Sequence, residues 1–172
     1  ESKNKVPRAK KQYFSLTFND FRQHLTHAPL LMLFTLGALL TGCFTSYYNY
    51  LTFRLAGAPF NLSQTSLGAI SIFYLLGMIS SMWMGNLLTK YQRSVLMFVA
   101  IGTMLIGLMT SLFSSLVGIT IGTGLFTFGF FAAHCVASSW VTRVATIQKG
   151  LASALYLCSY YLGASVLGSL SG

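Results

Sequence analysis

Acidic side chains are nearly missing from this chain: of 172 residues two are acids, Glu1 and Asp20. With no carboxylate beyond position 20, paired-acid catalysis, carboxylate metal sites and intramembrane acids that carry protons have no residues to use there. Charge of either sign is also scarce, at 8% of residues, where soluble domains carry about 25%. That excludes an ordinary soluble globular domain. The three cysteines, Cys43, Cys135 and Cys158, stand in apolar runs with no CxxC spacing, so a disulfide framework or zinc site lacks support. They are expected to be free, buried thiols. The polar opening, ESKNKVPRAKKQ, has no apolar core behind a basic start and so does not resemble a cleavable signal. It has linker composition, and the chain is expected to be an internal piece of a longer protein.

What remains between the charges is long and apolar. Charge-free runs extend over Gln23–Phe53 (31 residues), Leu55–Thr89 (35), Ser94–Thr142 (49) and Gly150–Gly172 (23). A helix crosses the hydrocarbon core with about 20 apolar residues, so these are membrane lengths. As one helix the third run would reach roughly 73 Å, far beyond a core of about 30 Å, and it must double back. The Ser-rich stretch Ser111–Gly118 is the expected fold-back. The sequence therefore predicts an all-α polytopic membrane protein with spans near 29–50, 64–88, 94–112, 119–140 and 150–171. Pro29 suits the first turn of the first span, and Ser63 can cap the second after the loop signals Gly57, Pro59 and Asn61. Before them, Phe14, Phe18, Phe21 and Leu25 recur at helical spacing. Residues 1–27 thus read as a linker ending in a short amphipathic helix on the membrane surface.

Orientation follows from the cations. With the N-terminal segment in the cytosol, Lys3, Lys5, Arg8, Lys10, Lys11, Arg22, Lys90, Arg93, Arg143 and Lys149 all lie inside, and only Arg54 lies outside. A net charge of +9 does not point to nucleic acid, because six of the eleven cations crowd the first 22 residues and make no folded basic face.

The hairpin GNLLTKYQR, Gly85–Arg93, resembles the loop signature G-x-x-x-D-R-x-G-R of the major facilitator superfamily, in the weaker copy between helices eight and nine. Gly85, Lys90 and Arg93 match in kind; Thr89 and Gln92 replace the signature aspartate and second glycine. Together with YYNYLTFRL, PFNLSQTSLG, FFAAHCVASSW and KGLASALYLCSYYLG, the chain is similar to the C-terminal half of bacterial YnfM-type inner-membrane exporters within that superfamily. The resemblance makes residues 1–27 the central cytoplasmic linker and the spans helices seven to eleven. The N-terminal six-helix half and helix twelve are then partners outside this chain. It implies a bacterial inner-membrane transporter that rocks around a midplane cavity and moves a small drug-like or sugar-like solute outward against protons. No cofactor or metal is called for, and nucleic acid is not a partner.

Several side chains are candidates for a substrate path. Thr41, Thr45, Tyr48 and Asn49 follow helical spacing in the first span, as do Thr127, Phe131, His134 and Ser138 in the fourth. By the family architecture these two stripes would face each other across the cavity, with Tyr156 and Tyr160 nearby. Asn49 and His134 each admit two readings, a structural hydrogen bond or a place on the path. An imidazole ordinarily titrates near about 6.5, so a path histidine would change charge at working pH. Lys90 and Arg93 are expected to hold neighbouring helix ends through C-terminal carbonyls. The small-residue pairs Gly118 with Gly122, Ala164 with Gly168, and Gly168 with Gly172 are expected at helix contacts. A non-transporting helical scaffold is the competing reading, and it needs none of this mid-membrane polarity. A lipid-modifying enzyme is disfavoured by the missing acids.

Overall fold

The computed structural model describes residues 17–171. The basic tail Lys3–Lys11, Phe14 and Gly172, which the sequence assigns to the linker, the amphipathic face and a packing pair, lie outside the described residues.

Among those residues the fold is all-α, with five helices long and apolar enough to cross a membrane. Helix α1 (Phe18–Thr26) is a single short surface element. The Asp20 carboxylate accepts the Thr17 N–H at 2.9 Å, so the second of the two acids is spent on a helix start. Helix α2 (Ala28–Ala56) follows, with Pro29 in its first turn. Helices α3 (Gln64–Ala69) and α4 (Phe73–Leu87) form one span interrupted by a 3₁₀ turn at Ile70–Ile72. Gly68 and two β-branched isoleucines weaken the helix there. Ser63 caps α3 by accepting the Ser66 N–H at 3.3 Å. Helices α5 (Arg93–Ser111), α6 (Leu116–Val144) and α7 (Lys149–Ser171) complete the chain. The 49-residue run breaks at 112–115, where Ser115 accepts the Gly118 N–H at 3.1 Å.

Two helices outrun their expected bounds. Helix α2 continues past Tyr50 to Ala56 because Leu51 and Leu55 stay buried and keep an apolar seam going; the Leu55 carbonyl also accepts the Leu62 N–H at 2.9 Å. Helix α6 extends to Val144 for the same reason, with Val141 fully buried in its last turn. Each is about 43 Å long, more than the hydrocarbon thickness.

Helix α6 is the hub: α2, α4, α5 and α7 all pack on it, while α2 also runs along α7. The α5–α6 seam is backbone on backbone. A Cβ on Gly129 would lie 2.5 Å from the Met104 nitrogen and 2.8 Å from the Ala100 oxygen, and one on Gly107 or Gly122 would strike the facing chain likewise. Between α2 and α7 the close point is Gly163 against the Ala38 backbone. Gly122 thus serves a helix contact. Its expected companion Gly118 meets Phe113 and Ser115 of the α5–α6 connection instead, because α5 ends at Ser111. Gly168 seats under Thr45, and Ala164 is half-buried.

The surface is apolar. Phe98 is 78% exposed and Phe130 1%, so one residue type covers both outside and core, as a lipid solvent permits. Cys43 and Cys158 are free but exposed, which corrects the expectation of buried thiols; Cys135 is half-buried.

Candidate functional site

Helix α6 brings the candidate residues together in its middle. Its residue Thr127 faces α2, where the Tyr48 hydroxyl and Thr127 Oγ1 lie 2.7 Å apart. One turn on, Phe130 stacks on Phe44 of α2 at 4.0 Å between ring centroids. Phe131 turns its edge to Phe44 at 6.0 Å and to Tyr74 of α4 at 6.2 Å. Tyr74 in turn stacks on Tyr48 at 5.6 Å. Next along α6, His134 Nδ1 lies 3.0 Å from the Tyr156 hydroxyl of α7, a bond whose donor depends on the imidazole tautomer. Tyr160 tilts over the same imidazole at 4.7 Å. Ten residues separate His134 from the end of α6, about 15 Å of helix, so the cluster lies within the apolar layer.

These contacts build a continuous aromatic wall across α2, α4, α6 and α7. Tyr48, Phe131, His134 and Tyr160 remain half-buried and Tyr74 is exposed, so one side of the wall is open. Tyr156 and Thr127 lie behind it, fully buried. The wall carries hydroxyls and one imidazole but no formal carboxylate, which suits an uncharged or cationic aromatic solute through stacking and cation–π contact.

The structure divides the first predicted stripe. Tyr48 joins the wall, whereas Asn49 points to α7, its Nδ2 donating to the Gly168 carbonyl at 3.0 Å and to Ser171 Oγ at 3.4 Å. Asn49 therefore acts as a helix clamp, and Ser46 does the same by donating to the Leu167 carbonyl at 3.1 Å. Thr41 and Thr45 spend their hydroxyls on carbonyls of their own helix, at 2.8 and 3.0 Å. Ser138 does likewise toward Cys135, at 3.1 Å. The two stripes also touch directly at Tyr48 and Thr127 instead of facing one another across open space. Tight packing of α2 on α6 leaves no gap there.

Sequence reasoning missed Phe44, Tyr74 and Phe130, which hold the wall together. The signal for Phe44 and Phe130 was their place one turn from Tyr48 and Thr127. Tyr74 had no local signal. Also missed was the buried pair of Tyr47 and Thr123, whose hydroxyls meet at 2.8 Å.

At the basic end, Lys90 is exposed, and Arg93 opens α5 with its Nε buried and unpartnered. Among the described residues neither reaches a C-terminal carbonyl, in contrast to the expectation. Arg93 stands at a helix start, where N–H groups and not carbonyls are free. With Gly85, Ser138, Ser139 and Thr142 it lines an open cleft of about 570 Å³. Carbonyl capping by a cation occurs at the opposite end. Arg54 donates to the Ser111, Leu112 and Phe113 carbonyls, the last at 2.8 Å, and so ties the end of α2 to the end of α5.

Comparison with known proteins gives long matches. The model of the Major Facilitator Superfamily matches residues 1–168. An uncharacterized transporter of Buchnera aphidicola subsp. Schizaphis graminum (strain Sg) is 40% identical over 172 residues, covering 97% of this chain and 42% of its own. The inner membrane transport protein YnfM of Escherichia coli (strain K12) is 47% identical over 155 residues, 90% of this chain and 37% of its own. The uncharacterized MFS-type transporter YybF of Bacillus subtilis (strain 168) is 37% identical over 149 residues, 87% and 37% of the two chains. The chain thus spans 37% to 42% of the length of these relatives. No solved structure matches it.

Proposed function

We propose, from the premise that this chain belongs to the Major Facilitator Superfamily, that it forms most of one half of a bacterial inner-membrane exporter of small organic solutes. The observation that carries this reading is the half-open aromatic wall of Tyr48, Tyr74, Phe131, His134 and Tyr160, set at mid-membrane depth on four helices. A scaffold has no use for hydroxyls and an imidazole on an open face within lipid, where each unpaired polar group is costly. A solute pocket needs this mixture of apolar area and a few fixed polar groups.

In this reading α2, α4, α5, α6 and α7 sit in the places of helices seven to eleven. The basic end faces the cytosol, a placement that the excess of Lys and Arg there supports. The missing half closes the other side of the cavity, and rocking of the halves exposes the wall alternately to each side. The relatives' printed names, which include transporter and inner membrane transport protein, agree with this. Outward movement is coupled to proton entry. Since no span holds a carboxylate, the proton is carried by His134 or by an acid outside this chain.

Everted membrane vesicles holding the whole protein test it. An aromatic solute panel, neutral and cationic, is added to vesicles with an established pH gradient, and dissipation of the gradient is followed by a dye. At least one solute is expected to discharge the gradient with the wild type and several-fold less with His134→Ala. Asn49→Ala is expected to transport normally once inserted, because Asn49 faces α7. A gradient insensitive to every solute, or equal responses from wild type and His134→Ala, would return the wall to a packing role.

A further inference from the structure

A second polar cluster lies away from the wall, at the end of the bundle that carries Arg143 and Lys149. Helix α1 folds against the start of α2 with its histidine inward: His24 is 3% exposed, while Phe18 is 85% and Leu25 49% exposed. Phe18 and Leu25 take the outward side, as an amphipathic helix on a lipid surface does, and His24 is turned toward the protein. His24 Nε2 is buried and has no hydrogen-bond partner among the described residues. A buried polar atom left in that state is rare in folded proteins and calls for an explanation. The imidazole lines a cavity of about 290 Å³ together with the polar His27 and Thr146 and the apolar Leu30, Val144 and Ile147.

The surroundings favour negative charge. His27 is the N-cap of α2 but makes no side-chain cap bond, so its ring is free for another partner. The positive end of the α2 dipole stands at that point but is offset by the negative end of α6, so the cations set the sign of the site. Arg22, Arg143 and Lys149 are exposed at the same end. The one acid nearby, Asp20, already accepts the Thr17 N–H. The cavity also sits where α2 begins and α6 ends, the depth of lipid headgroups for spans of this length. Its lining mixes polar and apolar side chains, which fits a phosphate joined to glycerol and acyl chains.

We propose that this cavity binds a phosphate-bearing anionic group, with His24 Nε2–H donating to a phosphate oxygen and His27 and Thr146 beside it. An anionic phospholipid is the source that the apolar part of the lining fits. Its binding pins α1 to the α6–α7 connection. The site is independent of the aromatic wall, so failure of the export reading would leave it standing.

The test uses the purified whole protein in detergent, with retained lipid counted by native mass spectrometry. Phosphatidylglycerol is offered against phosphatidylethanolamine, and inorganic phosphate is titrated in a separate arm. Wild type is expected to retain one more phosphatidylglycerol than His24→Phe, whose affinity falls about tenfold or more with the loss of a charge-assisted hydrogen bond. Thr146→Trp fills the cavity from an exposed position and alters no residue of α1; it is expected to lose the lipid equally, which keeps the test decisive should His24→Phe misfold. Lipid retained in the presence of millimolar phosphate assigns a lipid ligand, and displacement by phosphate assigns a soluble phosphate compound at the same site. Retention of phosphatidylglycerol by both variants at the wild-type level overturns the proposal. So does absence of both lipid preference and phosphate binding in the wild type.

Discussion

Removing the Arg54 side chain isolates one long-range tie in this fold. Its guanidinium donates to three consecutive carbonyls, those of Ser111, Leu112 and Phe113, at the point where α5 runs out of intrahelical donors. Hydrogen bonds from a charged group contribute about 1.5–3 kcal/mol each when buried, and a cation at a helix C-terminus adds about 0.3–1 kcal/mol. Arg54 is half-exposed, and water can satisfy some of those carbonyls, so the three bonds together are worth about 2 kcal/mol and not their sum. Arg54→Ala should therefore shift the folded-to-unfolded ratio by roughly thirtyfold. Insertion should not suffer, because the change removes the one cation predicted on the outer side and so strengthens the charge bias. The measurement is reversible unfolding of the purified protein by sodium dodecyl sulfate, combined with maleimide labelling of a cysteine placed at position 113. Arg54→Ala should unfold at lower detergent fraction and label faster. Arg54→Lys should recover only part, since a point charge cannot span three acceptors. Wild-type unfolding and labelling in Arg54→Ala would show that the α2–α5 tie is decorative and that the α5–α6 seam alone positions the end of α5.

Gly129→Ala should destabilise by about 1–3 kcal/mol, because its Cβ would meet the Met104 and Ala100 backbones, which cannot swing aside; Gly102→Ala, with open space around it, should be neutral, and the yield of monodisperse protein compares the two. Tyr47→Phe should cost about 1 kcal/mol by stranding the buried Thr123 hydroxyl, read by the same unfolding titration. In sealed cells a cysteine at position 91 should resist an impermeant maleimide while one at position 57 reacts; the reverse result would invert the topology.

What was legible in the sequence is what the bilayer itself demands. A span must exclude charge for about 20 residues, so five spans and their order could be counted before any packing was known. Helix starts were local too: Ser63, Pro29 and the serines before α6 act through bonds within one turn. What the tertiary structure alone decided is which face of each helix meets which neighbour. In water, apolar residues mark the inside; in lipid they do not, as Phe98 and Phe130 show by lying outside and inside with the same chemistry. Periodicity could therefore place Tyr48 and Asn49 on one stripe but could not tell that Tyr48 turns to α6 and Asn49 to α7. Nor could it place Arg54 on the carbonyls at the end of α5, 57 to 59 positions away, or bury His24 while Phe18 of the same helix faces outward. Those choices belong to the helix pairings, where glycines at Gly107, Gly122, Gly129 and Gly163 set how near the backbones come and hence which side chains are left to form the wall.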